Sequence, residues 1–362
     1  MMEYVGLFLL YFFAGSQGIE QGSLEAVKTF DGALEHWCFV DKTLMIKDFF
    51  KYSHMLVTAP RLFGKTVITD MLHKFYQMEV KEDGEVISPD ETANFKLFRR
   101  RNFKFLPKRK FISSNIMQYP TIRLNLGNVA ADRLREVQMH FKRLVWNAFK
   151  QYAYLLHCCR YLDTERYKDA VGTPDLNYIM HTDVSILEYQ PQIRTKFFQY
   201  YELEKVLQLD DVALVGGLRF LTELIFQHHD IKLFIFIDGY DSFLESIIVD
   251  EGDEHREIVA FVKNFFNAFM RNSEFIEKVF VTGNTDFGAF LFEDIQDFKY
   301  FNFIEEHKFS NYFGLTETEF TNLAKKNKNK TIATPEMALY YGGYKKIKCE
   351  ANFINIFSTM VA

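Results

Sequence analysis

The sequence predicts an α/β fold in which helices cover a parallel sheet on both faces, and three observations carry that expectation. Residues 54–58, 232–237 and 278–282 are short, nearly uninterrupted apolar runs, the pattern of strands buried on both faces. Stretches of helical periodicity separate them, so strand and helix alternate as a parallel sheet requires. With 362 residues, 48% of them hydrophobic and 17% aromatic, the chain has ample material for one continuous core.

Each element follows in order. Residues 5–13 form an apolar run ending at the small residues Ala14, Gly15 and Ser16. This is the grammar of a secretory leader, although Glu3 stands where a basic head is usual, and residues 1–18 are expected to be removed in a secreted chain. A cytoplasmic location is the alternative. Leu44, Met45, Phe49 and Phe50 have the spacing of one buried helical face. A strand over 54–58, a loop through Pro60 and Gly64, and a helix over 67–76 come next. Pro120 precedes a strand over 121–126, and residues 130–156 read as one long amphipathic helix. Between 160 and 208, Gly172, Pro174 and Pro191 interrupt the pattern, so a helical insertion or lid is expected there. A helix over 212–229, a strand over 232–237, a helix over 254–271 and a strand over 278–282 restore the alternation. Thr316 and Glu319 have capping-box spacing, the lysines at 325–330 read as a solvated linker, and Gly342 and Gly343 mark a turn. The domain then spans 19–320, with 321–362 as its extension.

A net charge of −5 argues against a protein that coats nucleic acid by bulk charge. Seven of the twelve residues at 99–110 are basic, interleaved with Phe103 and Phe105. An exposed loop is the expected reading over a grip on a nucleic-acid backbone. Cys38, Cys158, Cys159 and Cys349 form no C-x-x-C pair, so no zinc site is expected. No later stretch is apolar for the ~18 residues of a membrane span. Asn329 and Thr331 frame one glycosylation sequon. His228 and His229 end a helix, where imidazoles meet the last carbonyls, and the aromatics of 197–201 read as core.

The chemistry concentrates at Ala59, Pro60, Arg61, Leu62, Phe63, Gly64, Lys65 and Thr66, between a strand and a helix. Phosphates are held by backbone N–H groups at a helix N-terminus, which Gly64 lets approach closely. Lys65 supplies a charge for the terminal phosphates and Thr66 a hydroxyl for magnesium. Ala59 replaces the first glycine of the G-x-x-x-x-G-K-[ST] pattern. Asp238 ends a buried strand, where a carboxylate can hold magnesium or its water.

These residues, with the 39–43, 265–267, 275–283, 313–316 and 341–344 segments in the same order, resemble the AAA-ATPase-like domain family. The resemblance runs from about Val40 to the end of the sequence. It implies a P-loop NTPase-like fold and a nucleotide site with Arg61, Phe63, Gly64, Lys65, Thr66 and Asp238 as cofactor-binding residues, ATP and magnesium as cofactors, and Thr66 and Asp238 on the metal. Members often carry a nuclease-like domain at the C-terminus, which is not expected here.

Two departures bear on catalysis. Members read Asp-Glu-Tyr-Asp at the second motif, but here Gly239 stands where the water-polarising glutamate belongs. Asp286 stands near the place of an expected arginine, and a carboxylate there repels a γ-phosphate. The expected function is therefore a degenerate nucleotide-binding protein that binds Mg-ATP with little or no hydrolysis. A secreted interaction protein using the fold as scaffold is one alternative. An active ATPase linked to nucleic-acid processing, with Asp241 or Glu245 as substitute base, is another. Gly239→Glu with Asp286→Arg is expected to recover some turnover.

Overall fold

The computed structural model describes residues 28–36, 39–100, 102–127, 133–158, 184–244, 253–271, 274–303, 307–326, 344–345 and 352–354. The leader at 1–18, Cys38, Cys159, Cys349, Glu245 and the sequon lie outside them. Contacts divide the chain into two compact units. The larger joins Lys42–Thr58 to Met71–Phe301, and the smaller joins Ala59–Asp70 to the described parts of Met1–Asp41 and Asn302–Ala362.

The larger unit is built on a five-stranded parallel sheet. Its strands are β1 (His54–Thr58), β2 (Thr121–Asn125), β3 (Leu233–Asp238), β4 (Ile276–Gly283) and β5 (Phe298–Asn302), in the order β2-β3-β4-β1-β5. All six residues of β3 are buried, which is why its sequence shows no polar alternation. The register sets Asn125 beside Asp238, Asp238 beside Thr282, and Thr58 beside Gly283. The carboxyl ends of four strands are thereby level.

The two faces of the sheet pack differently. On one, Phe234, Phe236 and Phe280 surround Phe49 of the helix Leu44–Phe49 at centroid distances of 6.1, 5.9 and 5.5 Å. Tyr119 stacks on Phe234 at 4.0 Å. Tyr76 packs there too and donates from its hydroxyl to Ile46 O at 2.6 Å. On the other face, Ile122, Leu124, Ile235, Ile237, Val279 and Val281 enter the main core. The helices Leu134–Gln151, Asp211–His229 and Asp253–Met270 cover them, with Phe141 meeting Phe265 edge-on at 4.7 Å.

Several expectations need correction. The helix expected over 130–156 runs Leu134–Gln151. Tyr152 leaves helical geometry, and its hydroxyl donates to Thr121 O and accepts from Thr121 N, pinning the chain to the start of β2 before the short helix Leu155–Cys158. The described part of the 160–208 segment is helical at Val184–Tyr201 and Leu203–Leu207. Its Phe197, Tyr200 and Val206 belong to the main core, Phe197 meeting Phe149 at 5.0 Å. Those residues act as core, not as a lid. The aromatics of the basic 99–110 segment are likewise interior: Phe103 and Phe105 are 3% and 1% exposed and pack with Phe75 and Phe98. Strand β5 was not legible, because Lys299 and Tyr300 of its five residues are exposed.

In the smaller unit, β6 (Leu315–Thr316), β7 (Tyr344–Lys345) and β8 (Asn352–Ile354) form an antiparallel sheet in the order β6-β8-β7. The capping box closes as read. Glu319 N donates to Thr316 Oγ1 at 3.2 Å, and Thr316 N donates to Glu319 Oε2 at 3.0 Å. The helix it opens, Glu317–Lys326, takes in Lys325 and Lys326, which were expected in a linker. Among the described residues no helix is long and apolar enough to cross a membrane.

Candidate functional site

The phosphate-loop candidate lies wholly in the smaller unit. It leaves the end of β1 and runs into the helix Lys65–Tyr76. Within it, Leu62 and Gly64 have φ of 64° and 80°. Left-handed residues alternating with right-handed ones can turn successive N–H groups toward one side as an anion nest, and positive φ at Leu62 and Gly64 ahead of the helical Lys65 is compatible with that. Gly64 adopts this at no steric cost. Leu62 does not, yet it is 50% exposed.

Lys65 opens the helix and is 9% exposed. Its Nζ donates to Ala59 O at 2.8 Å and Pro60 O at 2.7 Å, drawing the start of the loop onto the ammonium. Thr66 is half-buried in the first helical turn and Arg61 is exposed. Phe63, expected as a nucleotide contact, could serve only through its backbone. Its ring is fully buried, edge-on to Phe303 at 5.1 Å, and its carbonyl accepts from Gly314 N at 3.0 Å. Phe63 anchors the loop, so only its backbone is available to a ligand. Asp70, one turn further on, accepts from Phe30 N at 2.7 Å and ties the helix to Phe30–Glu35.

The carboxyl edge of the sheet belongs to the larger unit. Asp238 is 3% exposed, and its Oδ1 accepts from Thr282 Oγ1 at 2.7 Å, which fixes the carboxyl's orientation. The next residue, Gly239, has φ +69°, and a Cβ there would lie 2.8 Å from Ser242 Oγ, 3.0 Å from Gly127 Cα and 3.1 Å from Gly127 N. The backbone of the loop after β2 fills the space a side chain needs. A glutamate at this position is therefore strained by its backbone conformation and crowded by Gly127 and Ser242, which opposes the recovery expected from Gly239→Glu.

Asp241 is 1% exposed. Its Oδ2 accepts from Asn284 N at 2.7 Å, Thr285 N at 2.6 Å and Thr285 Oγ1 at 2.8 Å, so the carboxylate builds the turn after β4. Its Oδ1 is buried and finds no hydrogen-bond partner among the described residues. Tyr240 fastens the same turn, donating to Thr285 O at 2.5 Å and accepting from Gly288 N at 2.7 Å. Burial and the neighbouring Asp241 charge push its phenol well above the usual range. Asp286, exposed, accepts from Thr58 Oγ1 at 2.8 Å and so clasps the end of β1.

These features suit the groups that the motifs imply. The loop backbone and the Lys65 ammonium have the chemistry that a phosphate requires. On the sheet, the oriented Asp238 carboxyl and the orphaned Asp241 oxygen are hard oxygen donors of the kind magnesium takes. Sequence reasoning missed Thr58, Thr282 and Gly127. The first two carry a legible signal, a threonine at the carboxyl end of an apolar strand.

A family profile described as Predicted AAA-ATPase matches residues 27–290. No curated protein and no solved structure matches the chain. With the profile spanning well over half of the sequence and a five-stranded parallel sheet flanked by helices, the chain belongs to the AAA-ATPase-like family.

Proposed function

We propose that this chain is a degenerate P-loop protein that binds Mg-ATP and turns it over little or not at all. Phosphates would be held by Lys65 and the backbone of Arg61, Phe63 and Gly64, and Thr66 and Asp238 are the residues proposed for magnesium. The observation that carries the reading is Gly239, a left-handed residue whose side-chain space is taken by Gly127. Gly239 has no carboxylate to do what the glutamate of a family member does there, polarise the attacking water. Loss of such a base costs ~10²–10⁴ in rate. Asp241 is fixed in place by the three hydrogen bonds to its Oδ2, so only its Oδ1 is left for a ligand or water, and the phosphate-release assay below tests whether it serves as a substitute base.

The test is a thermal-shift titration with Mg-ATP beside a steady-state phosphate-release assay. Mg-ATP raises the Tm of the wild type by mass action and leaves Lys65→Ala unmoved. Wild-type turnover of about 1 s⁻¹ or more, typical of working enzymes and lost in Lys65→Ala, would overturn the degenerate reading.

The second reading, a secreted interaction protein on the same scaffold, is favoured by Leu62, an apolar side chain 50% exposed at a left-handed position of the loop. Equal thermal responses of wild type and Lys65→Ala would support it. So would mass spectrometry finding a mature N-terminus near Ile19 after expression in a secretory cell.

A further inference from the structure

The six described basic residues of the 99–110 segment do not behave alike. Arg99 lies over the ring of Phe95 at 4.8 Å, and Arg100 and Lys104 have partners of their own. Lys108, Arg109 and Lys110 instead converge with Lys47 on one open groove of about 560 Å³ in the larger unit. Lys47 comes from the helix Leu44–Phe49, and the other three come from the start of Arg109–Asn115 and the residue before it. Among the described residues none of the four forms a salt bridge, and no carboxylate lines the groove.

In a chain of net charge −5, four unpaired cations in one concavity repel one another, and an anion relieves that repulsion. We propose that this groove is a binding site for a small molecule bearing several clustered phosphate groups, distinct from the loop of Lys65. The volume lies in the ~300–1,000 Å³ range of small-ligand sites, and the cations face one space instead of marking a track. A single strand of nucleic acid would need successive aromatic faces for its bases, and with Phe103 and Phe105 buried the groove offers one aromatic, the half-buried Phe111. Pro107, Phe111, Ser114 and Asn115 complete the lining.

The test is isothermal titration of the full chain carrying Lys65→Ala, which removes phosphate binding at the loop. The probes are inorganic tripolyphosphate, inositol hexakisphosphate and a 12-nucleotide single-stranded DNA. Binding of either small polyanion is expected, and which of the two binds distinguishes a phosphate anhydride from a phosphate ester as the source. Affinity should fall steeply with salt. Replacing Lys47, Lys108, Arg109 and Lys110 with Gln should weaken binding at least ~10-fold, since charge-assisted contacts carry it. Arg at the three lysine positions should preserve binding, which separates charge from folding. Three results would overturn the proposal: no binding of either small polyanion, unchanged binding in the four-Gln protein, or DNA bound while both small probes are ignored.

Discussion

Replacing Gly239 with alanine adds one methyl group at a place where the structure supplies two separate penalties. A residue with a Cβ held at φ +69° costs about 1–2 kcal/mol relative to glycine. The methyl also meets Gly127 Cα at 3.0 Å and N at 3.1 Å. Main chain yields less readily than a side-chain tip, and overpacking of this kind costs about 1–3 kcal/mol. The third contact, Ser242 Oγ at 2.8 Å, can rotate away, but only by giving up its bond to Gly239 O at 2.9 Å. The expected loss for Gly239→Ala is therefore about 2–5 kcal/mol. Gly239→Asn should lose less, because asparagine tolerates the left-handed region. Gly239→Glu should lose at least as much as alanine and gain no phosphate release. Urea unfolding followed by circular dichroism measures all three, and adding Ser242→Ala to Gly239→Ala should recover only the hydroxyl's share. A Gly239→Glu protein within about 0.5 kcal/mol of wild type, the range of an ordinary surface change, and releasing phosphate faster would refute both the strain and the catalytic argument.

Three other perturbations have defined outcomes. Burial and the neighbouring His228 push His229 down to about 4. The folded state then binds fewer protons than the unfolded one, and stability present above pH 6.5 is lost as pH falls toward 4. That loss is on the order of 2–3 kcal/mol, and His229→Gln should flatten the slope of unfolding free energy in that window. Asp241→Ala should destabilise by about 3–5 kcal/mol, because three donors to one oxygen lose their charged acceptor. A soluble, fully stable Asp241→Ala protein would show that the turn after β4 does not depend on it. Leu62→Gly should stabilise by up to about 1 kcal/mol by relieving the left-handed conformation, measured as a raised urea midpoint. A lowered midpoint would mean that the leucine side chain packs usefully despite its exposure.

What was legible in the sequence follows the range of the forces involved. The limits of β1 matched residue for residue because an apolar run between Ser53 and Ala59 has one way to be buried, and the Thr316–Glu319 cap was readable because both partners lie within one turn. Lys65 and Thr66 were placed by their spacing, and the structure sets them in the first turn of a helix as that spacing requires. Strand β5 was hidden because edge strands carry exposed residues, and Lys299 and Tyr300 blur the period. The obstruction at Gly239 could not be read at all. It comes from the backbone of Gly127, brought alongside only when Asn125 and Asp238 align in the sheet. The burial of the Phe63 ring was hidden for a similar reason, since nothing local announces that it turns toward Phe303.

The hold that Ala59 and Pro60 keep on Lys65 bears on how tightly an anion can bind. A lysine waving in solvent must be immobilised when its ligand arrives, and ordering such a side chain costs up to about 1.5–2 kcal/mol. Here the two carbonyl contacts have already selected one arrangement of the long chain in the free protein. The ordering is then completed during folding, and an incoming phosphate meets a charge already in place. At the proposed phosphate site that preorganisation would correspond to roughly tenfold in affinity.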